Sequence, residues 1–66
     1  MRIDTKKVAL LLAEQSITKT VLAERCGISR QNISTILTRG TCEPKTAGKL
    51  AKGLGIDPAE IVKEES

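Results

Sequence analysis

Residues 18–37 decide the fold, and they read TKTVLAERCGISRQNISTIL. Thr18 is a good N-cap for a helix over residues 19–26, and Gly27 follows where a left-handed residue should close that helix. Ser29 then supplies the cap of a further helix. Only three residues separate the two helices, and a connection this short makes them cross steeply.

A steep crossing imposes steric rules on both helices, and this sequence meets them. A small side chain is needed where the helices approach, and Ala23 supplies it. The turn needs a positive φ, which Gly27 adopts without a steric penalty. Apolar side chains must hold the crossing angle, and they are Leu22, Cys26, Ile28, Ile33 and Ile36. The stretch therefore predicts a helix-turn-helix, a motif whose second helix enters the major groove of DNA.

The remainder of the chain predicts three more helices and no strand. The first helix is predicted from Asp4 or Thr5 to about Gln15, and a break at Ser16 and Ile17 separates it from the helix over 19–26. The helix that begins at Arg30 is followed by a loop over 39–44 and a helix over roughly 45–53. A last short helix starts with Asp57-Pro58-Ala59-Glu60 and ends at Val62. Together they predict one compact all-α domain of five helices over residues 1–66.

Charge is unevenly distributed along the chain. Residues 1–54 contain ten Lys and Arg residues and four Asp and Glu residues, a net charge of +6. Residues 55–66 have a net charge of −3, which leaves +3 overall. A basic body with an acidic end predicts one face that meets a polyanion and one end that does not.

The composition argues against several classes of function. Because the chain has no His, it lacks the commonest general base and metal ligand, and it predicts neither an enzyme nor a cofactor. Ser–Lys pairs remain as nucleophiles, but a domain of this size encloses no pocket for a small-molecule substrate. The longest apolar run, residues 8–13, is too short to span a membrane, and no signal peptide opens the chain, so we expect a cytoplasmic location.

Two cysteines, Cys26 and Cys42, are too few for a structural zinc site without further Cys or His ligands. Without an export signal, they predict two free thiols rather than a disulfide. Cys26 occupies an apolar position of the crossing helices, so we expect a small buried side chain there. Cys42 lies in the predicted loop, where we expect simple exposure.

These features resemble the phage-repressor-like helix-turn-helix family of the Cro and repressor type. The resemblance covers nearly the whole chain, and its motifs are Thr18-Lys19, Leu22-Ala23, Gly27, the apolar positions of the third helix, Arg39-Gly40, and LAKGLGID at residues 50–57. It implies a five-helix, lambda-repressor-like domain that binds double-stranded operator DNA. It also implies a homodimer on two half-sites.

The resemblance assigns DNA contacts to particular residues of this chain. Arg30, Gln31 and Thr35 match the family's base-reading positions. The amide of Gln31 suits adenine, and the guanidinium of Arg30 suits guanine or a phosphate. Ser29, Asn32 and Lys19 match positions that contact phosphate, and Thr38, Arg39 and Lys45 are expected to reach the DNA backbone on the far side. The alternative for each is a solvated polar side chain at a helix end.

We therefore interpret the chain as a sequence-specific, DNA-binding transcriptional regulator that consists of the binding domain alone. Phosphate contacts would set its position, and the start of the third helix would read bases. The sequence leaves activation and repression equally open. The alternative is a protein-interaction module, such as an antitoxin or a phage-type accessory factor, that uses the same fold to bind a protein partner.

The chain departs from the family pattern at two places. Many members form a buried ion pair between an Arg late in the first helix and a Glu late in the third, but Leu12 and Leu37 occupy the matching positions here. We expect these leucines to pack against each other instead. In addition, Gly40 comes one residue later than usual, so the loop from Thr38 to Pro44 is expected to be longer or differently routed.

Leu12→Arg alone is expected to be severely destabilising, on the order of 3 kcal/mol, because it places an unpaired charge against apolar neighbours. Adding Leu37→Glu should recover part of the loss by restoring the family's ion pair. Urea unfolding of the wild type and both variants measures the free energy of unfolding. If the double variant is no more stable than Leu12→Arg, the two positions do not contact each other.

Overall fold

The computed structural model describes residues 1–63, and these form four α-helices and a short 3₁₀ turn. The helices are α1 at Thr5–Gln15, α2 at Lys19–Cys26, α3 at Arg30–Arg39 and α4 at Pro44–Leu54, and the 3₁₀ turn is at Pro58–Glu60. The prediction of an all-α domain is confirmed. Across the described range, no helix is both long and apolar enough to cross a bilayer.

The first three helices begin at the capping residues that the sequence predicts. The side chains of Asp4, Thr18 and Ser29 each accept a hydrogen bond from the backbone N–H three residues later, at 3.1, 3.2 and 3.1 Å. Ser16 and Gly27 close α1 and α2 in the left-handed region, with φ of 56° and 72°. Local hydrogen bonding therefore fixes where these elements start and stop.

The core is aliphatic and lies between the helices. Its largest fully buried side chains are Val8, Leu22, Ile33, Leu50 and Ile61. Among residues 1–63, no polar or charged side chain is buried with them. Leu12 and Leu37 are half-buried and pack against this core, while their contact with each other stays a prediction.

Helices α2 and α4 approach so closely that one position has no room for a side chain. A Cβ built on Gly53 would lie 3.3 Å from the backbone nitrogen of Cys26 and would collide with the Cys26 sulfur. At Gly48, also within α4, a Cβ would meet nothing within 4 Å. The close packing of α4 on α2 therefore depends on Gly53 specifically.

The prediction of a fifth helix is wrong, although its start is as predicted. Asp57 caps the 3₁₀ turn by accepting the Ala59 N–H at 2.8 Å, and the Glu60 carboxylate accepts the Asp57 N–H at 3.4 Å. The turn goes no further because the next residues pair with the beginning of the chain. Ile61 accepts the Asp4 N–H at 2.7 Å.

That pairing continues beyond the 3₁₀ turn. Val62 forms an isolated antiparallel bridge with Ile3, and Lys63 donates its N–H to the Arg2 carbonyl oxygen at 2.9 Å. A helical backbone would place these N–H and carbonyl groups along its own axis and would lose the cross-chain bonds. Tertiary hydrogen bonding therefore limits the last element to one turn.

The end of α3 and both ends of α4 also differ from the prediction, by one residue each. Arg39 belongs to the last turn of α3, because Gly40 closes the helix with a φ of 73° and donates its N–H to Ile36 at 2.7 Å. The loop is correspondingly shorter than expected and covers residues 40–43. Helix α4 begins at Pro44, whose missing N–H costs nothing in a first turn.

The two cysteines are free thiols, as predicted. Cys26 is buried, also as predicted. The expectation that Cys42 is simply exposed is wrong, since its side chain is half-buried against the core. The N-terminal segment crosses this loop and holds it down, because the Cys42 N–H donates to the Met1 carbonyl oxygen at 3.0 Å.

Gly53→Ala is expected to lower the free energy of unfolding by about 1–3 kcal/mol, because the added methyl group forces α4 away from Cys26. Gly48→Ala is the matched control, and it should raise stability by about 1 kcal/mol, because alanine is the better helix former and space is available there. Chemical denaturation of both variants provides the measurement. Equal effects at the two positions would contradict the close α2–α4 contact.

Candidate nucleic-acid interface

One face of α3 presents a row of polar side chains to solvent. Gln31, Ser34, Thr35, Thr38 and Arg39 line a single shallow groove along this helix. Their spacing places them on adjacent turns, opposite the apolar side that packs on the core. Ser34 was not singled out by the sequence analysis, although its position three residues after Gln31 puts it on the same face.

All nine residues that the family resemblance assigns to DNA contact are exposed, and none has been drawn into the core. They are Lys19, Ser29, Arg30, Gln31, Asn32, Thr35, Thr38, Arg39 and Lys45. Thr38 and Arg39 lie on α3 rather than in a loop, so the helix itself supplies six of them after the Ser29 cap. Lys19 and Lys45 occupy the first turns of α2 and α4.

The beginning of α3 has the electrostatics of an anion-binding end. The Ser29 hydroxyl oxygen accepts the Asn32 N–H, which leaves the hydroxyl proton available to an outside acceptor. The N–H groups of Arg30 and Gln31 have no acceptor within an α-helix. The positive end of the helix dipole therefore coincides with the Arg30 side chain.

Helix α2 repeats this arrangement with Thr18 as its cap, whereas the N-cap of α4 is the acidic Glu43, which makes no capping hydrogen bond, and its first residue is Pro44. Neither has an acidic residue in its first turn, and each has an exposed lysine there, Lys19 or Lys45. A cation at a helix N-terminus is unfavourable for the isolated helix, by about 0.3–1 kcal/mol. An anion bound at such a helix start is attracted both by the lysine and by the positive helix end, and this attraction offsets their mutual repulsion.

Two side chains on α3 differ in what they offer a ligand. The Thr35 hydroxyl already donates to the Gln31 carbonyl oxygen at 3.0 Å, so Thr35 presents an oxygen acceptor and a methyl group. Within residues 1–63, the side-chain amide of Gln31 makes no hydrogen bond of its own. Gln31 can therefore donate and accept at once, as recognition of an adenine edge requires.

A second groove lies between α3 and the start of α4. It is lined by Asn32, Thr35 and Arg39 on the α3 side and by Cys42 and Glu43 on the other. Burial raises the pKa of the Cys42 thiol; the N-terminal ammonium opposes this shift, and the neighbouring Glu43 carboxylate adds to it. The thiol is therefore not activated as a nucleophile, and Glu43 marks the acidic edge of the α3 surface.

A basic cleft adjoins the other end of α3. Arg2, Lys6 and Lys63 line it together with Thr38 and Arg39. The first three could not be predicted from the sequence, because residues at opposite ends of the chain meet only after folding. The close approach is visible at Gly40, where a Cβ would lie 3.8 Å from a methyl group of Thr5.

Among residues 1–63, Asp4 is the one acidic residue that lines this cleft. With Arg2, Lys6, Arg39 and Lys63 it gives a net charge of +3, as large as that of the whole chain. The Asp4 carboxylate already accepts the Lys7 N–H as the cap of α1. The cleft is therefore a positive surface continuous with the exposed face of α3.

These elements define a helix-turn-helix domain, with α2 and α3 as the crossing pair. Residues 7–65 match the Cro/C1-type HTH DNA-binding domain. The chain belongs to that family. This agrees with the resemblance found in its sequence motifs. No curated protein matches the chain significantly.

Two solved structures share the fold over the full length of the chain. They are native PhpD with cadmium atoms and PhpD with cadmium complexed with hydroethylphosphonate, each with a TM-score of 0.82 and 24% identity. The chain spans only 14% of the length of each of these proteins. At this identity the likeness concerns the fold alone. Within residues 1–63 of the present chain, no three His, Cys, Asp or Glu side chains group as metal ligands.

Proposed function

We propose that this chain is a transcriptional regulator that binds double-stranded DNA in a sequence-specific manner, with α3 in the major groove. The observation that carries the proposal is the exposed polar face of α3, which begins at the anion-binding helix end beside Arg30. Arg30 and Gln31 are the proposed base readers. Thr35, one turn later, offers a methyl group suited to thymine and an acceptor suited to adenine or cytosine amino groups.

Phosphate contacts would set the position of α3 in the groove. The starts of α2 and α4 bring Lys19 and Lys45 to the surface as cations at positive helix ends. Ser29 and Asn32 would add hydrogen bonds to the backbone of the duplex, and Thr38 and Arg39 would extend the contact along α3. This arrangement supports DNA as the partner more strongly than a neutral protein surface.

The same features support binding rather than catalysis as the mode of action. The chain contains no His, and in the groove between α3 and α4 burial raises the pKa of the Cys42 thiol, which favours its unreactive protonated form. A regulator needs only occupancy of its site. The proposal therefore assigns no reaction and no cofactor to the domain.

Gln31→Ala is expected to weaken binding to a selected site by about 1–3 kcal/mol and to relax the preference at one base pair, because an adenine contact is lost. Lys45→Ala should weaken binding to all sequences alike and reduce the slope of log affinity against log salt by roughly 1. The measurement is affinity for a site selected from random duplexes and for scrambled DNA, at several salt concentrations.

Lys49→Ala is the control for this series, because Lys49 is an exposed lysine of α4 outside the proposed contacts. If Gln31→Ala and Arg30→Ala both leave affinity and preference unchanged, α3 is not the reader. A wild-type chain that shifts no duplex at moderate salt, yet forms a stable complex with a protein, would support the protein-interaction alternative instead.

The basic cleft extends the proposed contact beyond the helix-turn-helix. Lys6 and Lys63 are exposed, and both face the same depression as Thr38 and Arg39 at the end of α3. A duplex seated on α3 continues past that end, so its next phosphates would approach the two lysines. Each neutralised phosphate contributes to affinity without contributing to sequence preference.

Replacing Lys6 and Lys63 together by Gln is expected to lower the salt slope by up to about 2, because two phosphate contacts are lost. The preferred sequence should not change. The double variant Lys49→Gln with Lys52→Gln removes the same charge from exposed positions of α4 and should leave the slope within about 0.5. Glu64 and Glu65 follow Lys63 in the chain and stay unchanged in every variant. Equal slopes for both double variants would exclude the cleft from the interface.

A further inference from the structure

The outer face of α1 has a stripe of side chains that the DNA-binding surface does not use. Lys7, Leu10, Leu11 and Glu14 follow one another at the i, i+3, i+4 and i+7 spacing of a single helix face. Together with Ala13 they line one shallow depression. Leu11 is buried at its floor, whereas the Leu10 side chain is 65% exposed at its rim.

The charges of this stripe run against the dipole of α1. Its first turn has no acidic residue and its last turn has no basic residue, whereas Lys7 lies near the start and Glu14 near the end. Each charge is at the less favourable end of the helix. This order of charges does not stabilise the isolated helix, but it would attract a second helix that runs in the opposite direction.

We propose that this stripe binds the same stripe of a second copy of the chain, with the two α1 helices antiparallel. A two-fold axis between Leu10 and Leu11 maps Lys7 of one copy onto the level of Glu14 of the other. The order of the stripe, from positive through apolar to negative, is self-complementary only when the partner runs in the opposite direction. Both dipoles and both ion pairs are then favourably arranged.

The geometry fits a close helix pair. Glu14 lies seven positions after Lys7, so the two charge pairs lie about 10 Å apart along the axis and flank the two Leu10 side chains. Ala13 is exposed and lines the same depression as Leu10, and its small size allows the helices to approach. The depression shares no lining residue with the α3 groove or the basic cleft, so the stripe is distinct from the proposed DNA-binding surface.

The proposed dimer is weak in solution. One helix of 11 residues offers less than the roughly 800 Å² per partner of a standard interface. Self-association is therefore measured at high protein concentration, and it weakens as salt screens the charge pairs. Self-association is measured without DNA. Absence of a dimer would therefore not contradict the proposed DNA binding, and absence of DNA binding would not contradict the proposed dimer.

Sedimentation equilibrium of charge variants tests the arrangement directly. Lys7→Glu gives two negative ends and Glu14→Lys gives two positive ends, so each variant alone should self-associate at least about tenfold more weakly than the wild type. An equimolar mixture of the two should form a heterodimer, because every proposed pair is then of opposite sign. The double variant Lys7→Glu with Glu14→Lys should regain the homodimer.

Folding is not at risk in these variants, because both single changes improve the match with the helix dipole. Thermal unfolding verifies this. Glu24→Lys and Lys52→Glu, at exposed positions of α2 and α4, are matched controls and should dimerise like the wild type. A wild type that stays monomeric at every concentration overturns the proposal, and so does a mixture of Lys7→Glu with Glu14→Lys that associates no better than either variant alone.

Discussion

The contact between α2 and α4 is the constraint on which the rest of the structure depends. Because Gly53 has no side chain, the backbone of α4 reaches the end of α2 at Cys26. The turn at Gly27 starts immediately after Cys26, and this turn sets the direction of α3. The angle at which Arg30 and Gln31 leave the surface is therefore fixed by packing on a helix that does not contain them.

A second constraint comes from the ends of the described chain. Residues 1–4 lie between the loop after α3 and residues 61–63, and they are hydrogen-bonded to both: Ile3 donates its N–H to the Gly40 carbonyl oxygen at 2.8 Å, and Lys63 donates its N–H to Arg2. This arrangement ties the end of α3 to the start of α1. It also assembles the basic cleft, whose cations are up to 61 positions apart in the sequence.

The predictions that succeeded are those that depend on neighbouring residues. The caps Asp4, Thr18 and Ser29 and the left-handed Gly27 act through hydrogen bonds and dihedral angles within one turn, so a sequence pattern is sufficient to find them. The error at residues 57–62 has the opposite origin. A good capping sequence began the turn, but pairing of Val62 with Ile3 ended it, and no local pattern encodes that pairing.

The candidate site divides in the same way. The face of α3 could be predicted at Gln31 and Thr35, because these residues follow helical spacing from a recognisable cap, whereas Thr38 was expected in a loop and lies on the helix. The contribution of Lys6 and Lys63 could not be predicted, because each has the sequence context of an ordinary solvated lysine and only folding brings them to one cleft. The half-burial of Cys42 has a similar cause, because the segment that covers it is at the start of the chain.

The energetics of recognition show why one copy of this surface is a marginal reader. The three proposed base readers, at about 1–3 kcal/mol each, would supply roughly 3–9 kcal/mol of discrimination. Competition from about 10⁶ non-specific sites is worth about 8 kcal/mol, because each tenfold excess equals about 1.4 kcal/mol. Phosphate contacts from Lys19, Lys45 or the basic cleft cannot close this gap, since they strengthen right and wrong sites equally. A second α3 would double this discrimination. The proposed α1–α1 contact could be weak and still contribute, because two copies bound to adjacent half-sites would be held at a high effective concentration.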